Sequence, residues 1–417
     1  MPSTVITSVQ AFDMRYGLPP GAGTDAVHTN PEYSLAVTRL NTNNAWSGTG
    51  ITLTLGEGNR LVCNAIEILA RPLLGRDIEE VMAEFGQVSR QLANDPAMRW
   101  LGPHKGVVHL ALASITNGCF DLWAKSRGVP LWKLLLDLDP EALVALLDLS
   151  YLEDVLPREA ALELIRSKVS SRTERECILG QGYPGYDTSV GWMAYDDDKV
   201  RELTKRAMER GFSAFKLKVG SADRARDIRR AHMLRECAGE SATLMFDANQ
   251  QWDLPTAIEM CGELARLRPL WIEEPTHPDD VSAHAELASI IAPSKLAAGE
   301  HIPNRVLFKN FLRSGAIHFV QADATRLAGI SEFLTVSLLA RKVGLPIVPH
   351  VGDMGQLHQH LVLFNHIALG HEVHFLEYIP HLRRHFAHPA IVEDGIYKTA
   401  QEPGASSDLV NLPLGPA

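Results

Sequence analysis

No stretch of this 417-residue sequence approaches the roughly 18 consecutive apolar residues of a membrane span. Its opening residues, MPSTVITSVQAFDM, lack the basic segment followed by an apolar one that marks an export signal. A cytoplasmic location is therefore expected. Cysteine is scarce: Cys63, Cys119, Cys177, Cys237 and Cys261 form an odd set without any CxxC spacing. That argues against a disulfide framework and for reduced, mostly buried thiols. Excess positive charge is absent as well. The formal net charge is −10 and no Lys/Arg stripe is present, so neither nucleic acid nor an anionic membrane is expected as a partner.

Apolar content of 46% and charged content of 22% supply an ordinary globular core, and the length suits two domains or one barrel with an added domain. Up to about residue 135, strand-like stretches (TVITSVQAFDM, YSLAVTRLNT, GTGITLTLG) precede helix-like ones around RLVCNAIEILARPLL and KGVVHLALASITNGCFDLWAKSRG. This order predicts an α+β domain over 1–135. Within it, GLPPGAGTDAVHTNPEY is too long and too rich in Gly and Pro for a tight turn, and reads as a flexible loop. Trp100 and His104 in RWLGPHKG are expected to brace the interface between domains.

From about residue 140 the rhythm changes to short apolar runs alternating with amphipathic helices near 196–211, 222–238, 254–267, 304–314 and 330–343. Repeated strand–helix alternation predicts an α/β fold with a parallel sheet, closed as a (β/α) barrel over 136–387. VALLDLSYL and GYDTSVGWMAY are both candidates for its first strand. The tail, 388–417, is expected to pack back on the first domain.

The run SAFKLKV carries two lysines one residue apart. In a strand Lys216 and Lys218 share one face, and two neighbouring ammonium groups lower each other's pKa, which suits a lysine acting as a base. The apolar runs end in Lys218, Asp247, Glu273, Glu300, Asp323, His350 and Glu377, at successive spacings of 29, 26, 27, 23, 27 and 27 residues. Each spacing is about one βα unit, so these side chains should ring the C-terminal mouth of the barrel. Three successive acids, Asp247, Glu273 and Glu300, form an all-oxygen set suited to Mg²⁺. His350 falls next to Asp323 in the ring, and a carboxylate against imidazole raises its pKa.

FKLKVG, LMFDANQQW, WIEEPTHPDD, AAGEHIPNR, DATRLAGI and PHVGDMG, in this order, resemble the mandelate racemase branch of the enolase superfamily. Within it the chain is most similar to L-fuconate dehydratase and related sugar-acid dehydratases. GTDAVHTNPEYS and RWLGPHKGVVHLALASITNGCFDLWAK carry the resemblance into the first domain. The resemblance implies an N-terminal capping domain over a modified (β/α)7β TIM barrel, with one Mg²⁺ on Asp247, Glu273 and Glu300. It further implies that Lys218 removes the C2 proton of an acid sugar and that protonated His350, held by Asp323, expels the C3 hydroxyl to give a 2-keto-3-deoxy acid. Lys216, Glu377 and Asn249 would contact substrate, and Asp25 and His28 would sit on a substrate-selecting lid.

A racemase or epimerase, a cycloisomerase and an inactive sugar-acid binder are the competing readings. The superfamily's habit of symmetric assembly implies a homo-oligomer. One departure stands out. After His350 the chain reads HVGDMGQLHQH, where Asp353 adds a carboxylate and Met354 adds bulk, which points toward another aldonate such as L-galactonate.

Overall fold

The structure, a computed structural model, describes residues 3–351 and 356–413. Three antiparallel strands, Ile6–Tyr16, Tyr33–Thr42 and Ser47–Leu55, form a sheet in chain order. The middle strand is buried on both faces. Ala36 and Leu40 meet the helices Gly58–Leu69 and Gly106–Ser126, whereas Leu35 and Val37 meet Leu382, Phe386 and Leu409 from the end of the chain. Helix Gly106–Ser126 has the length and apolar content to cross a membrane, but nearly all of it is buried inside the protein. It approaches the sheet so closely that a Cβ on Gly50 would lie 1.8 Å from the Ser114 carbonyl oxygen. Only glycine fits there.

Between the sheet region and the barrel lies a helical stretch that includes Pro140–Ala145 and Arg158–Arg166. VALLDLSYL falls in it and is not a strand, a correction that follows from the helix beginning at Pro140, with Asp139 accepting from the Ala142 amide. Asp148 in this stretch joins Arg90 at 2.7 Å to Arg305 at 2.7 Å, and so ties the first region to the barrel.

The barrel begins at Tyr183–Asp187 and continues through Ala214–Lys218, Thr243–Asp247, Trp271–Glu273, Leu296–Ala298 and Phe319–Val320, all parallel neighbours. The seventh strand position is marked by Ile347 bridging to Val320. The eighth strand, Leu376–Tyr378, pairs with the first. Seven helices follow the first seven positions, from Asp197–Glu209 to Leu357–Phe364, which is a (β/α)7β order. Asp196, Asp223, Asp253 and Asp280 each accept a backbone amide at a helix start, satisfying donors that would otherwise be orphaned.

Alternation along the strands sorts the side chains. Phe215, Leu217, Phe246 and Ile272 belong to the main core beneath the helices. Tyr186, Ala214, Met245, Trp271, Ala297, Phe319 and Val348, one from each of seven strands, fill the barrel interior. This plug leaves the ionisable strand ends above it.

The tail divides. Val392–Glu393 and Ile396–Tyr397 form a hairpin on the first barrel strand, with Tyr397 opposite Tyr183, so this part corrects the expectation of packing on the first domain alone. Backbone edges left open by a barrel strand explain the pairing. Further on, Asp408 reaches Lys125 at 2.6 Å and Thr49 at 2.6 Å.

Candidate active site

Register brings the first part of the site together. Lys218 stands opposite Asp247, and Asp247 opposite Glu273, on three adjacent parallel strands. Ligand atoms of Asp247, Glu273 and Glu300 lie within 4.8 Å of one another, and all three residues are buried. Burial, followed by the Asp247 charge, pushes the Glu273 carboxyl up to about 8. Crowded acids of this kind need positive charge. Two ammonium groups supply part of it: Lys216 Nζ lies 2.7 Å from Glu273 and 2.8 Å from Glu377, and Lys218 Nζ lies 2.5 Å from Asp247. Gln321 Nε2 and Trp271 Nε1 donate to the other Glu273 oxygen at 2.7 and 3.0 Å, fixing its orientation.

The lysine electrostatics differ from the sequence expectation. Burial disfavours the Lys218 ammonium and Lys216 acts in the same direction, but Asp247, Glu300 and Asp25 outweigh them and raise its pKa. Lys216 is raised well above its usual value against the cost of burial, by Glu273 and Glu377. Lys216 does lower the Lys218 pKa, as the spacing in SAFKLKV predicts, but carboxylates on neighbouring strands outweigh that contribution.

On the other side of the mouth, His350 Nδ1 lies 2.7 Å from Asp323 Oδ2 and its Nε2 lies 3.0 Å from Glu300. Thr325 donates to the second Asp323 oxygen through its amide and its hydroxyl, both at 2.7 Å. Burial works against the imidazolium, but Glu300 and the Asp323 hydrogen bond raise the His350 pKa to about 9. Thr188 Oγ1 and the Val351 amide donate to the two Glu377 oxygens at 2.6 and 2.9 Å.

A cavity of about 380 Å³ opens above these groups, lined by Lys218, Asn249, Glu300, His350 and Glu377 from the barrel. Asp25 and His28 line it from the Gly/Pro-rich loop. Lys216, Asp247, Glu273 and Asp323 form the layer beneath. Asp25 accepts from the Val27 and His28 amides at 2.7 and 2.6 Å and from His28 Nδ1 at 3.0 Å, and the loop is fastened to the barrel by Thr24, which accepts from the Met193 and Ala194 amides. Asn249, at φ +44°, turns over the site, and its Oδ1 is buried without a partner among the described residues.

The residues present fit a small divalent cation. Three buried carboxylates offer an all-oxygen donor set, and hard oxygen donors in low number are what Mg²⁺ accepts while keeping waters.

Residues 199–411 match the family described as Enolase C-terminal domain-like. Mitochondrial enolase superfamily member 1 of Homo sapiens is 43% identical over 398 residues, which are 93% of this chain and 90% of that protein. The chain belongs to the enolase superfamily. The crystal structure of that human protein has a TM-score of 0.94 at 41% identity, covering 98% of this chain and 94% of that one. L-galactonate dehydratase of Hypocrea jecorina is 38% identical over 418 residues, 98% of this chain and 93% of that protein. L-talarate/galactarate dehydratase from Salmonella typhimurium, liganded with Mg and L-lyxarohydroxamate, has a TM-score of 0.79 at 26% identity, covering 98% of this chain and 92% of that one.

Within this member of the superfamily, several cavity residues carry no sequence pattern that marks them. Trp192 lies in GYDTSVGWMAY, a candidate for the first barrel strand, but that strand ends at Asp187 and leaves Trp192 in the loop that follows, lining the cavity. His301 directly follows Glu300, and its Nδ1 lies 3.0 Å from Glu274. Tyr33 and Arg326 also line the cavity. Trp100 is 97% exposed and braces nothing, whereas His104 does, its backbone carbonyl accepting from Asn304 at 2.7 Å. Asp353 and Met354 lie outside the described residues.

Proposed function

We propose that the protein is a Mg²⁺-dependent hydro-lyase that dehydrates a monocarboxylic sugar acid to its 2-keto-3-deoxy product. The observation that carries this reading is one cavity lined by Lys218 on strand two, Glu300 and His350 on strand seven, with Asp323 bonded to His350 and Asp247 and Glu273 clustered with Glu300. Asp247, Glu273 and Glu300 would hold the metal ion. Bound there, it supplies positive charge for the substrate carboxylate as the C2 proton leaves.

Lys218 Nζ, in the neutral form that a cation held beside Asp247 would favour, takes that proton, so the C2–H bond breaks and its electrons pass into the substrate carboxylate; they return to form the C2–C3 double bond when the C3–O bond breaks. His350 donates its proton to the departing hydroxyl, which leaves as water. The resulting enol tautomerises to the keto acid. Asp323 fixes the imidazole so that Nε2 faces the cavity, and Lys216 holds Glu273 and Glu377 in place from below. The Hypocrea jecorina and Salmonella typhimurium relatives, both named sugar-acid dehydratases, support the reaction class.

For the substrate we infer an aldonate of L-galacto configuration, L-fuconate or, as the alternative that HVGDMGQLHQH points to, L-galactonate. The two differ only at C6, a methyl group in one and a hydroxymethyl in the other. Val27, Leu53, Leu55 and Leu110 are among the lining residues and Asp25 adds negative charge, a setting better suited to an uncharged terminus, methyl or hydroxymethyl, than to a second carboxylate. A panel of acid sugars tested for 2-keto acid formation decides between the readings. L-fuconate and L-galactonate should be dehydrated and galactarate should not. C2 hydrogen exchange without keto acid on every compound would favour the racemase reading.

A further inference from the structure

Both lysines of the strand Ala214–Lys218 lie against aromatic rings supplied by the first barrel strand and its loop. Lys216 Nζ is 5.6 Å from the Tyr186 ring centroid and Lys218 Nζ is 5.7 Å from that of Trp192. Tyr186 belongs to the barrel interior, where it packs edge-on against Trp271. Trp192 is different: it is 2% exposed, yet it lines the cavity beside Lys218.

The indole is held from three directions. Its Nε1 donates to His381 Nε2 at 2.9 Å, and the two rings lie 5.6 Å apart with a 36° tilt. Burial pulls the His381 pKa down to about 4, which keeps Nε2 free to accept. Ala22 from the Gly/Pro-rich loop and Ile379 from beyond the eighth strand pack with the ring. Arg230, almost wholly buried on the helix Arg224–Ala238 after the second barrel strand, donates to the Trp192 carbonyl at 3.1 Å and the Tyr195 carbonyl at 3.2 Å, pinning the loop backbone. A buried arginine spent on backbone carbonyls is costly unless the loop must be fixed.

We propose that Trp192 is a positioning residue for Lys218: its indole face is the wall that sets where the lysine Nζ points in the cavity. The inference rests on the functional reading above for its kinetic consequence and on geometry alone for its structural one. Among the described residues, Asp247 is the one side chain in hydrogen-bond contact with Lys218, and Asp247 is also wanted by the cation. An aromatic face orients an amine without donating to it or taking its proton, so it can hold Nζ while leaving it available for proton transfer. An error of about 1 Å in such a group can cost a hundredfold in rate, which is why a fixed wall matters.

The test compares Trp192→Leu, which keeps apolar bulk and removes the ring, with Trp192→Phe, which keeps a ring face. On the acid sugar that the wild type dehydrates, Trp192→Leu should lower kcat by roughly tenfold or more with KM within about twofold, and Trp192→Phe should recover most of that loss. Equal kcat losses in both variants, or a change confined to KM, would overturn the proposal in favour of simple packing or substrate contact. A second measurement needs no substrate. In the full-length protein carrying lysine labelled at Cε, the Lys218 signal, assigned by its loss in Lys218→Arg, should be displaced by the indole ring current. It should return toward the ordinary lysine position in Trp192→Leu. A Lys218 signal that Trp192→Leu does not move would sink the stacking geometry whatever the activity. A wild type that dehydrates no acid sugar would instead remove the functional reading and leave the ring-current result to decide the geometry.

Discussion

Asp323 and His350 are bonded at 2.7 Å across two neighbouring strand positions of the barrel, the sixth and the seventh. Asp323 is held as a carboxylate well below its usual range, because His358 and His350 outweigh the opposing effect of burial. Asp323 and Glu300, on either side of the imidazole, both favour its protonated form.

This charge state gives the reaction a pH limb. With a pKa raised to about 9, His350 is protonated below that value, so keto acid formation should fall as pH rises through about 9. Asp323→Asn removes one of the groups that raise it, and the limb should move to lower pH by roughly one unit or more. A pH–rate profile of the variant checks this; an unmoved limb would assign it to another group.

The two proposed proton-transfer groups should fail at different steps. His350→Asn should still exchange the substrate C2 hydrogen with solvent deuterium while releasing almost no keto acid, and Lys218→Ala should do neither. NMR of substrate in D₂O decides it. Exchange surviving only in Lys218→Ala would mean that the two roles are reversed.

Dialysis against a chelator should abolish turnover, and added Mg²⁺ should restore it. Asp247→Asn should mimic metal removal, since a neutral amide is a poor partner for this hard cation. Calorimetric titration of Mg²⁺ into both proteins, with circular dichroism to show that the variant is folded, makes the comparison. Full activity in metal-free enzyme would contradict the cation's role.

Gly50→Ala addresses the contact between the first sheet and helix Gly106–Ser126. A methyl group there would meet the Ser114 carbonyl at 1.8 Å and the Gly118 nitrogen at 2.3 Å, both backbone atoms that cannot swing away. We expect a loss of about 3 kcal/mol, read from denaturant unfolding. An unchanged midpoint would show that the helix can shift at little cost.

The ring of strand-end residues was legible because a βα unit repeats at nearly constant length, so chemistry recurring at that spacing had to meet at one mouth. The Lys216 pKa was not legible, because it depends in part on Glu377, which reaches Lys216 only when the eighth strand closes against the first. Tyr183–Asp187 was hard to place for a local reason. YPGYD contains proline and glycine, and it becomes a strand through pairing on both sides. Trp192 and His301 were hidden because loop residues obey no period. The tail hairpin was hidden because two-residue strands, Val392–Glu393 and Ile396–Tyr397, leave almost no pattern.

Thr49 and Asp408 are bonded across 359 positions of chain, and Leu409 sits in the same apolar cluster as Leu35, Val37 and Ile51. As the polypeptide emerges from the ribosome, the outer face of the first sheet must wait for nearly all the rest of the protein before it is covered. The earliest-made region is thus among the last to be completed, and its exposed strands are a period of aggregation risk that a chaperone would have to bridge. Cutting the gene between sheet and barrel would then yield two fragments, each with an open apolar face, rather than two proteins.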